Sequence, residues 1–342
     1  MSEAFGGIEG IFKASAGEVR KIERIPKGFA EGLRDPEIFN RADEEIEKAA
    51  KARVEIVSLF DPRYPEELKE IYDPPILFYV RGKLPPAQAV KVAVVGSRVA
   101  SVYGDRAART ISRELAEADV VVVSGMARGI DSAAHEGALV GEGVTLAVLG
   151  GGLARIYPPE NRKLADRIVE KGAVISEYPM DMLSLKQHFP VRNRIISGLS
   201  KAVLVVEAKE KSGALITADS ALEQGREVFA VPGNIDSLRS GGTNKLIKQG
   251  AQLATSAQDI LEALNIKAGR LKKKHGMSGS AGENLLNDLE KNVLSLIGED
   301  PAHVDEIIEG SGLKPAETMS FLSILEIKGF LSQHPGGYFV RK

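Results

Sequence analysis

The sequence predicts a doubly wound α/β domain with a mostly parallel sheet, preceded by a small helical unit and followed by a winged helix. Three observations predict it. Between residues 90 and 266, six short apolar runs alternate with amphipathic stretches of helical length. The runs are near-continuously apolar, as in strands buried on both faces of a parallel sheet. Beyond residue 285, three helical stretches lead into two short strands around a Pro-Gly-Gly turn.

Taken in order, residues 1–60 read as a helical unit closed by the helix RADEEIEKAAKARV, which ends before EIVSLF. Residues 61–89 contain the Pro-rich DPRYPEELKEIYDPPILFYVRG, an extended lead-in of the kind that packs along another domain. The strands of residues 90–266 are KVAVVGS, DVVVVSG, VTLAVLGGG, AVISEYP, KAVLVVEA and EVFAVPG. The helices between them are YGDRAARTISRELAEA, IDSAAHEGALVGEG, PENRKLADRIVEKG, RNRIISGLS, SGALITADSALEQG and NKLIKQG. Strand–helix alternation of this period implies right-handed crossovers, and such sheets take ligands at the C-terminal ends of their strands. Residues 267–284 are a basic, then Gly/Ser-rich linker (KAGRLKKKH, GMSGSAGEN), and residues 285–342 form the winged helix.

Composition narrows the function. The 342 residues suit two or three domains, and 43% apolar with 27% charged residues is ordinary for a soluble globular chain. No apolar run approaches the ~18 residues of a membrane span. The N-terminal MSEAFGGIEGIFK lacks the basic stretch, apolar core and cleavage site of a signal peptide, so a cytoplasmic location without membrane contact is expected. With no cysteine and five scattered histidines, none paired at i, i+4, neither a thiolate nucleophile nor a metal or other cofactor is expected. Net charge is −3 over residues 1–89, +1 over 90–266, +5 over 267–275 and −5 over 276–342. Any basic surface on the central domain must therefore be gathered by folding.

The turns after the strands carry the chemistry. The first is Gly96-Ser97-Arg98, without the G-x-G-x-x-G of a dinucleotide site; glycine lets a phosphate approach the backbone, and arginine forks onto its oxygens. The second, Gly125-Met126-Ala127-Arg128-Gly129, precedes a helix whose free N–H groups suit an anion, with Asp131 as its expected N-cap. Gly150-Gly151-Gly152 marks either a tight turn or a backbone approached by a ligand. The fourth, Lys186 to Arg194, interleaves Lys186, His188, Phe189, Arg192, Asn193 and Arg194 on what reads as a loop. Single-stranded nucleic acid needs that mixture, an aromatic ring for bases and cations for phosphates. The alternative is that Phe189 fills the core while Arg192 and Arg194 pair with acids. Ser212 and Gly213 open a further helix with small and hydroxyl groups. No G-x-S-x-G elbow or P-loop accompanies Ser124, His135 and His188, so the rim reads as a binding surface.

The ordered set GSR, SGMARGIDSAAH, LGGGLARIYPPENRKL, FPVRNRIISGLSKAVLVVEA, SGALITADSALEQGREVFAVPG and GTNKLIKQGA strongly resembles the DNA-processing protein A (DprA, or Smf) family. The resemblance covers residues 90 to about 255, with weaker matches in the flanking units. It implies a Rossmann-like domain that binds single-stranded DNA and dimerises, and a protein that protects incoming strands and loads RecA recombinase on them during natural transformation. Carried onto this chain, the family's basic pocket falls on Ser97, Arg98, Gly125, Ala127, Gly129, Lys186, Phe189, Arg192, Asn193 and Arg194.

Two other classes compete. The fold is similar to lysine-decarboxylase-like phosphoribohydrolases, but their P-G-G-x-G-T-x-x-E acid has no counterpart after Gly242-Thr243 in VPGNIDSLRSGGTNKL. A winged-helix reader of duplex DNA is opposed by Glu317 and Glu326 on the recognition-type helix, where acids repel phosphates. The winged helix is therefore expected to be an accessory or protein-interaction module.

Overall fold

The computed structural model describes residues 5–22, 28–33, 35–266, 286–298, 302–334 and 336–341. The chain divides into two compact units, residues 1–271 and 272–342. The linker expected at 267–284, with its basic run, lies outside the described residues.

The first unit is built on a nine-stranded sheet. Its strands are β1 (Glu55–Ser58), β2 (Leu77–Gly82), β3 (Lys91–Val95), β4 (Val121–Ser124), β5 (Thr145–Leu149), β6 (Ala173–Ser176), β7 (Ala202–Val205), β8 (Glu227–Ala230) and β9 (Gln252–Leu253). Their spatial order is β1-β2-β6-β5-β4-β3-β7-β8-β9. From β6 to β9 every pairing is parallel, and β3 to β8 are the six predicted runs. The sheet also takes in β1, antiparallel to β2, and β2, antiparallel to β6, which the sequence assigned to the helical unit and the lead-in. Their prolines flank the paired residues instead of interrupting them, as edge strands allow.

Helices cover both faces. Before the sheet come α1 (Ile8–Lys13), α2 (Ala16–Val19), α3 (Phe29–Gly32) and α4 (Pro36–Lys51); α5 (Glu66–Lys69) lies between β1 and β2. The crossovers are α6 (Val102–Glu117), α7 (Ile130–Val140), α8 (Arg162–Lys171), α9 (His188–Gly198), α10 (Gly213–Glu223) and α11 (Gly241–Lys248), and α12 (Ala257–Ala263) follows β9. Alternate strand residues point to opposite layers. Ala93, Val95, Val123 and Val203 pack with Ile195 of α9 and Ala218 of α10. Val92, Val94, Val122 and Leu204 pack with Ile111 of α6 and Ala134 of α7. From β3 the chain winds one way through β4, β5 and β6, then returns to β7 on the other side of β3. The loops leaving β3 and β7 therefore diverge, opening a crevice at the switch point.

The second unit packs α13 (Asp288–Ser295), α14 (Val304–Ser311) and α15 (Pro315–Ile327) against a sheet of order β10-β12-β11. Those strands are β10 (Ala302–His303), β11 (Leu331–His334) and β12 (Tyr338–Arg341). Val293, Leu322, Leu325 and Phe339 form its core, and the arrangement is the winged helix the sequence predicts. Among the described residues no helix is long and apolar enough to cross a membrane.

Candidate nucleic-acid interface

A cleft of about 490 Å³ opens in the crevice off β3 and β7. Five cations line it, Arg98, Lys186, Arg192, Lys209 and Lys211, against the single acid Asp131. Among the described residues Lys186, Lys209 and Lys211 have no ion-pair partner. Folding thus gathers a positive patch from a segment whose net charge is only +1.

One wall is the first two turns of α9. Residues 186–194, expected as a loop, are helical from His188, because Pro190 sits in the first turn where its missing N–H has no intrahelical acceptor to lose. Phe189, Arg192, Asn193 and Ile196 then recur at i, i+3, i+4 and i+7 and line the cleft together. Arg192 and Arg194 are two positions apart, about 200° around the helix, so they cannot share that face. Arg194 turns away: Nη2 and Nη1 donate to Glu177 at 2.6 and 2.9 Å, and Nε donates to Asp73 at 3.0 Å. The acid-pairing alternative holds for Arg194, and its expected place in the cleft is corrected.

Arg192 is 4% exposed and braces the floor. Its Nη1 donates to the carbonyls of Gly125 (2.8 Å) and Val148, and Nε donates to Asn193 Oδ1 at 3.3 Å. Burial pulls its pKa down to about 10, against the attraction of Asp131, so it stays charged at neutral pH. Phe189 is half-buried, neither a free platform nor a core plug. Its ring lies 6.1 Å from that of Tyr157, and a side chain at Gly150 would come within 3.0 Å of it. The Arg98 guanidinium sits 4.7 Å from the ring centroid.

The loop after β4 departs from expectation. Asp131 is not the N-cap of α7; that place belongs to Gly129, whose φ of 72° and whose Cβ position 2.4 Å from the Ser97 carbonyl admit only glycine. The Asp131 carboxylate instead accepts the N–H groups of Gly125 (3.2 Å) and Ala127 (3.3 Å). The anion site predicted on this backbone is thus filled by the chain's own carboxylate, whose pKa burial raises against the pull of Arg192 and these bonds. Gly125 stays behind the floor, where a Cβ would lie 2.7 Å from both Arg192 and Asp131. Arg128 pairs with Glu160 and is absent from the cleft lining. Ser97 does line the cleft, but its hydroxyl donates to the Val99 carbonyl at 2.9 Å.

The opposite wall is the start of α10. Ser212 caps it, accepting the Ala214 N–H at 3.3 Å, and Asn193 Nδ2 donates across the cleft to the Gly213 carbonyl at 3.3 Å. Nothing lies within 4 Å of where a Gly213 side chain would be, so the helix start is open. Lys209 and Lys211 on this wall were missed as site residues; the signal was their position directly after β7, the second strand of the switch point.

Other candidates resolve as structure. Gly151 and Gly152 are approached by the chain itself, with Ser184 Oγ 2.4 Å and Met180 O 2.1 Å from the would-be side chains. Ser124 Oγ donates to Val94 O at 2.6 Å, and His135 is buried with Nδ1 2.7 Å from Thr145 Oγ1, so the two make no catalytic pair. Leu246, at the position the phosphoribohydrolase pattern gives its acid, is a buried core residue, and Asn244 two positions before it clips Gly233 through both of that residue's backbone groups. Among the described residues no cluster of three metal-ligating side chains occurs.

Comparison with known proteins matches the family model of DNA recombination-mediator protein A over residues 55–265, from the first residue of β1 to two residues past α12. The chain belongs to that family. A second family model, the DprA winged helix domain, matches residues 280–337. Protein Smf of Escherichia coli is 43% identical over 283 residues, covering 80% of this chain and 74% of that protein. The X-ray structure of DNA processing protein A from Streptococcus pneumoniae superposes with a TM-score of 0.60 at 42% identity, covering 72% of this chain and 89% of that one. DNA processing protein A from Helicobacter pylori, whose structure concerns its single-stranded DNA binding mode, gives a TM-score of 0.55 at 31% identity over 62% of this chain and 95% of its own.

Proposed function

We propose that the cleft binds single-stranded DNA with little sequence preference, and that the chain acts in DNA processing as a recombination mediator. The observation that carries this is the shared helical face of Phe189, Arg192 and Asn193, set across from Lys209, Lys211 and the open start of α10. It offers a stacking ring between two cationic walls, and every base has a face to stack. Arg98 and Lys186 supply phosphate contacts, Ser97, Ser212 and Gly213 let the strand approach the backbone, and Ala127 lines the cleft with its N–H already held by Asp131. Gly125, Arg128, Gly129 and Arg194 shape or brace the site from outside it.

Titration with single- and double-stranded oligonucleotides of equal length at several salt concentrations tests this. Tight single-strand binding that weakens steeply with salt is expected. Equal affinity for duplex, or indifference to salt, defeats it. Family membership supports the wider role: protection of incoming strands in the cytoplasm during transformation, transfer to RecA, and a homodimer formed through the first unit. Co-sedimentation with RecA filaments on DNA and analytical ultracentrifugation test these parts separately. The nucleotide-hydrolysing alternative predicts release of free base from nucleoside monophosphates, which we expect to be absent.

A further inference from the structure

We infer that Tyr157 is a second stacking platform, so that the site seats two successive bases of the strand, one on Phe189 and the next on Tyr157. This rests on the cleft itself being the single-strand site. Tyr157 is 45% exposed and stands just beyond Phe189, outside the cleft lining, on the connection between β5 and α8. The backbone holds it there. Its neighbours Ile156 and Pro158 are buried, and Asn161 Nδ2 ties the connection to the loop after β4 by donating to Met126 O and Ser132 Oγ, both at 2.8 Å. An aromatic ring presented outward from an anchored backbone offers contact area at little cost in conformational entropy.

The two rings are placed for two bases and not for one. Their centroids are 6.1 Å apart and their planes meet at 39°, so a single base cannot lie flat on both. Each ring takes its own. Bases held this way stand further apart than the step of about 3.4 Å along one strand of duplex DNA, which suits a strand whose bases stack on protein instead of on one another. Tyr178 and His188 make the contrast: at 4.2 Å and 19° they stack on each other, and each covers the other's face. The acid nearest to Tyr157 in sequence, Glu160, is paired with Arg128, which offsets the charge that would repel a phosphate.

The chain has no tryptophan, so Tyr157→Trp gives it a single indole reporter at this position. In the full-length chain that indole should be quenched on titration with an oligothymidylate of about 20 nucleotides, at the midpoint that fluorescence anisotropy gives for binding. Tyr157→Leu should raise Kd about fivefold or more, as expected when one base loses its aromatic partner, with the salt slope unchanged because no phosphate contact is removed. Tyr157→Phe, which keeps the ring, should restore the affinity lost in Tyr157→Leu. An indole that stays unquenched at saturation, or wild-type affinity in Tyr157→Leu, overturns the inference; Phe189→Leu weakened in the same assay then leaves the cleft standing with one platform. Failure of Tyr157→Phe to restore binding overturns it too, since the hydroxyl and not the ring then makes the contact. A wild type that does not bind the oligothymidylate overturns the cleft itself, and the second platform with it.

Discussion

Replacing Phe189 by leucine separates the ring's packing role from its stacking role. Leucine retains an apolar filler against Gly150 and Tyr157 but has no π face. A stacked base is worth about 1–3 kcal/mol by truncation of its aromatic partner. In the free protein, however, the ring already holds the Arg98 guanidinium at 4.7 Å, a cation–π contact worth about 0.5–1 kcal/mol at an exposed site. A base that stacks on that face displaces the guanidinium, so the mid-range net loss on Phe189→Leu is about 1 kcal/mol and its ceiling about 2.5 kcal/mol, roughly a fivefold rise in Kd with a ceiling of about sixtyfold. Arg98 remains available to phosphate, so the salt slope should not change. Fluorescence anisotropy on a single-stranded oligonucleotide at three or more salt concentrations reads both quantities, with a melting curve beside each titration. Unchanged affinity with a lowered Tm refutes the stacking role and makes Phe189 a packing residue; a flattened slope means the ring acts by positioning Arg98.

Other consequences are open to the same assays. Arg98→Ala should weaken binding and reduce the single-strand salt slope by about 0.7, which titration across salt measures. Arg194→Ala should leave DNA affinity intact and lower stability by about 1–3 kcal/mol in urea, because it leaves the partly buried Glu177 carboxylate without the guanidinium that donates to both its oxygens. Gly125→Ala should lower both Tm and DNA affinity, since the added carbon falls 2.7 Å from Arg192 and Asp131. His135 carries a pH effect: burial depresses its pKa from 6.5 to about 3, so between these values the unfolded chain binds the extra proton. Its contribution is complete above pH 6.5 and is lost as pH falls, at about 1.4 kcal/mol per unit, and His135→Gln should remove that slope from urea titrations at pH 5 and 6.5.

The strands from β3 to β8 were legible because runs such as VAVV and VVVVS have no polar face to offer a solvent-exposed element. β1 and β2 were not, because neighbouring prolines in DPRYPEE and DPPILF read as extended chain, and pairing with a distant β6 leaves no local mark. The site was legible by residue type and illegible by geometry. A loop would let Arg192 and Arg194 serve alike; a helix starting two residues before Pro190 sends them to opposite sides. Lys209 and Lys211 went unused because flanking acids such as Glu207 and Glu210 dilute their charge in sequence. In space Glu207 is turned inward, where Ser101 donates to it through both N–H and hydroxyl.

The tautomer of His135 follows from the same bonding. Thr145 donates its only hydroxyl proton to Val122 O at 2.7 Å, so it accepts from His135 Nδ1–H, and the Nε2 lone pair is left buried without a partner.

Asp131 gives the loop after β4 an internal counter-ligand. In many phosphate sites the backbone donors stay open until the ligand orders them, and part of the interaction energy is consumed in that ordering. Here the Gly125 and Ala127 N–H groups are already satisfied by a carboxylate anchored on α7. The loop is therefore set before any strand arrives, and free phosphate or sulfate finds no vacant backbone cradle there. Beside that loop the ligand meets side-chain charge and an aromatic face, both of which tolerate a strand that slides. A surface of this kind suits a polymer that must be held along its length and later handed on.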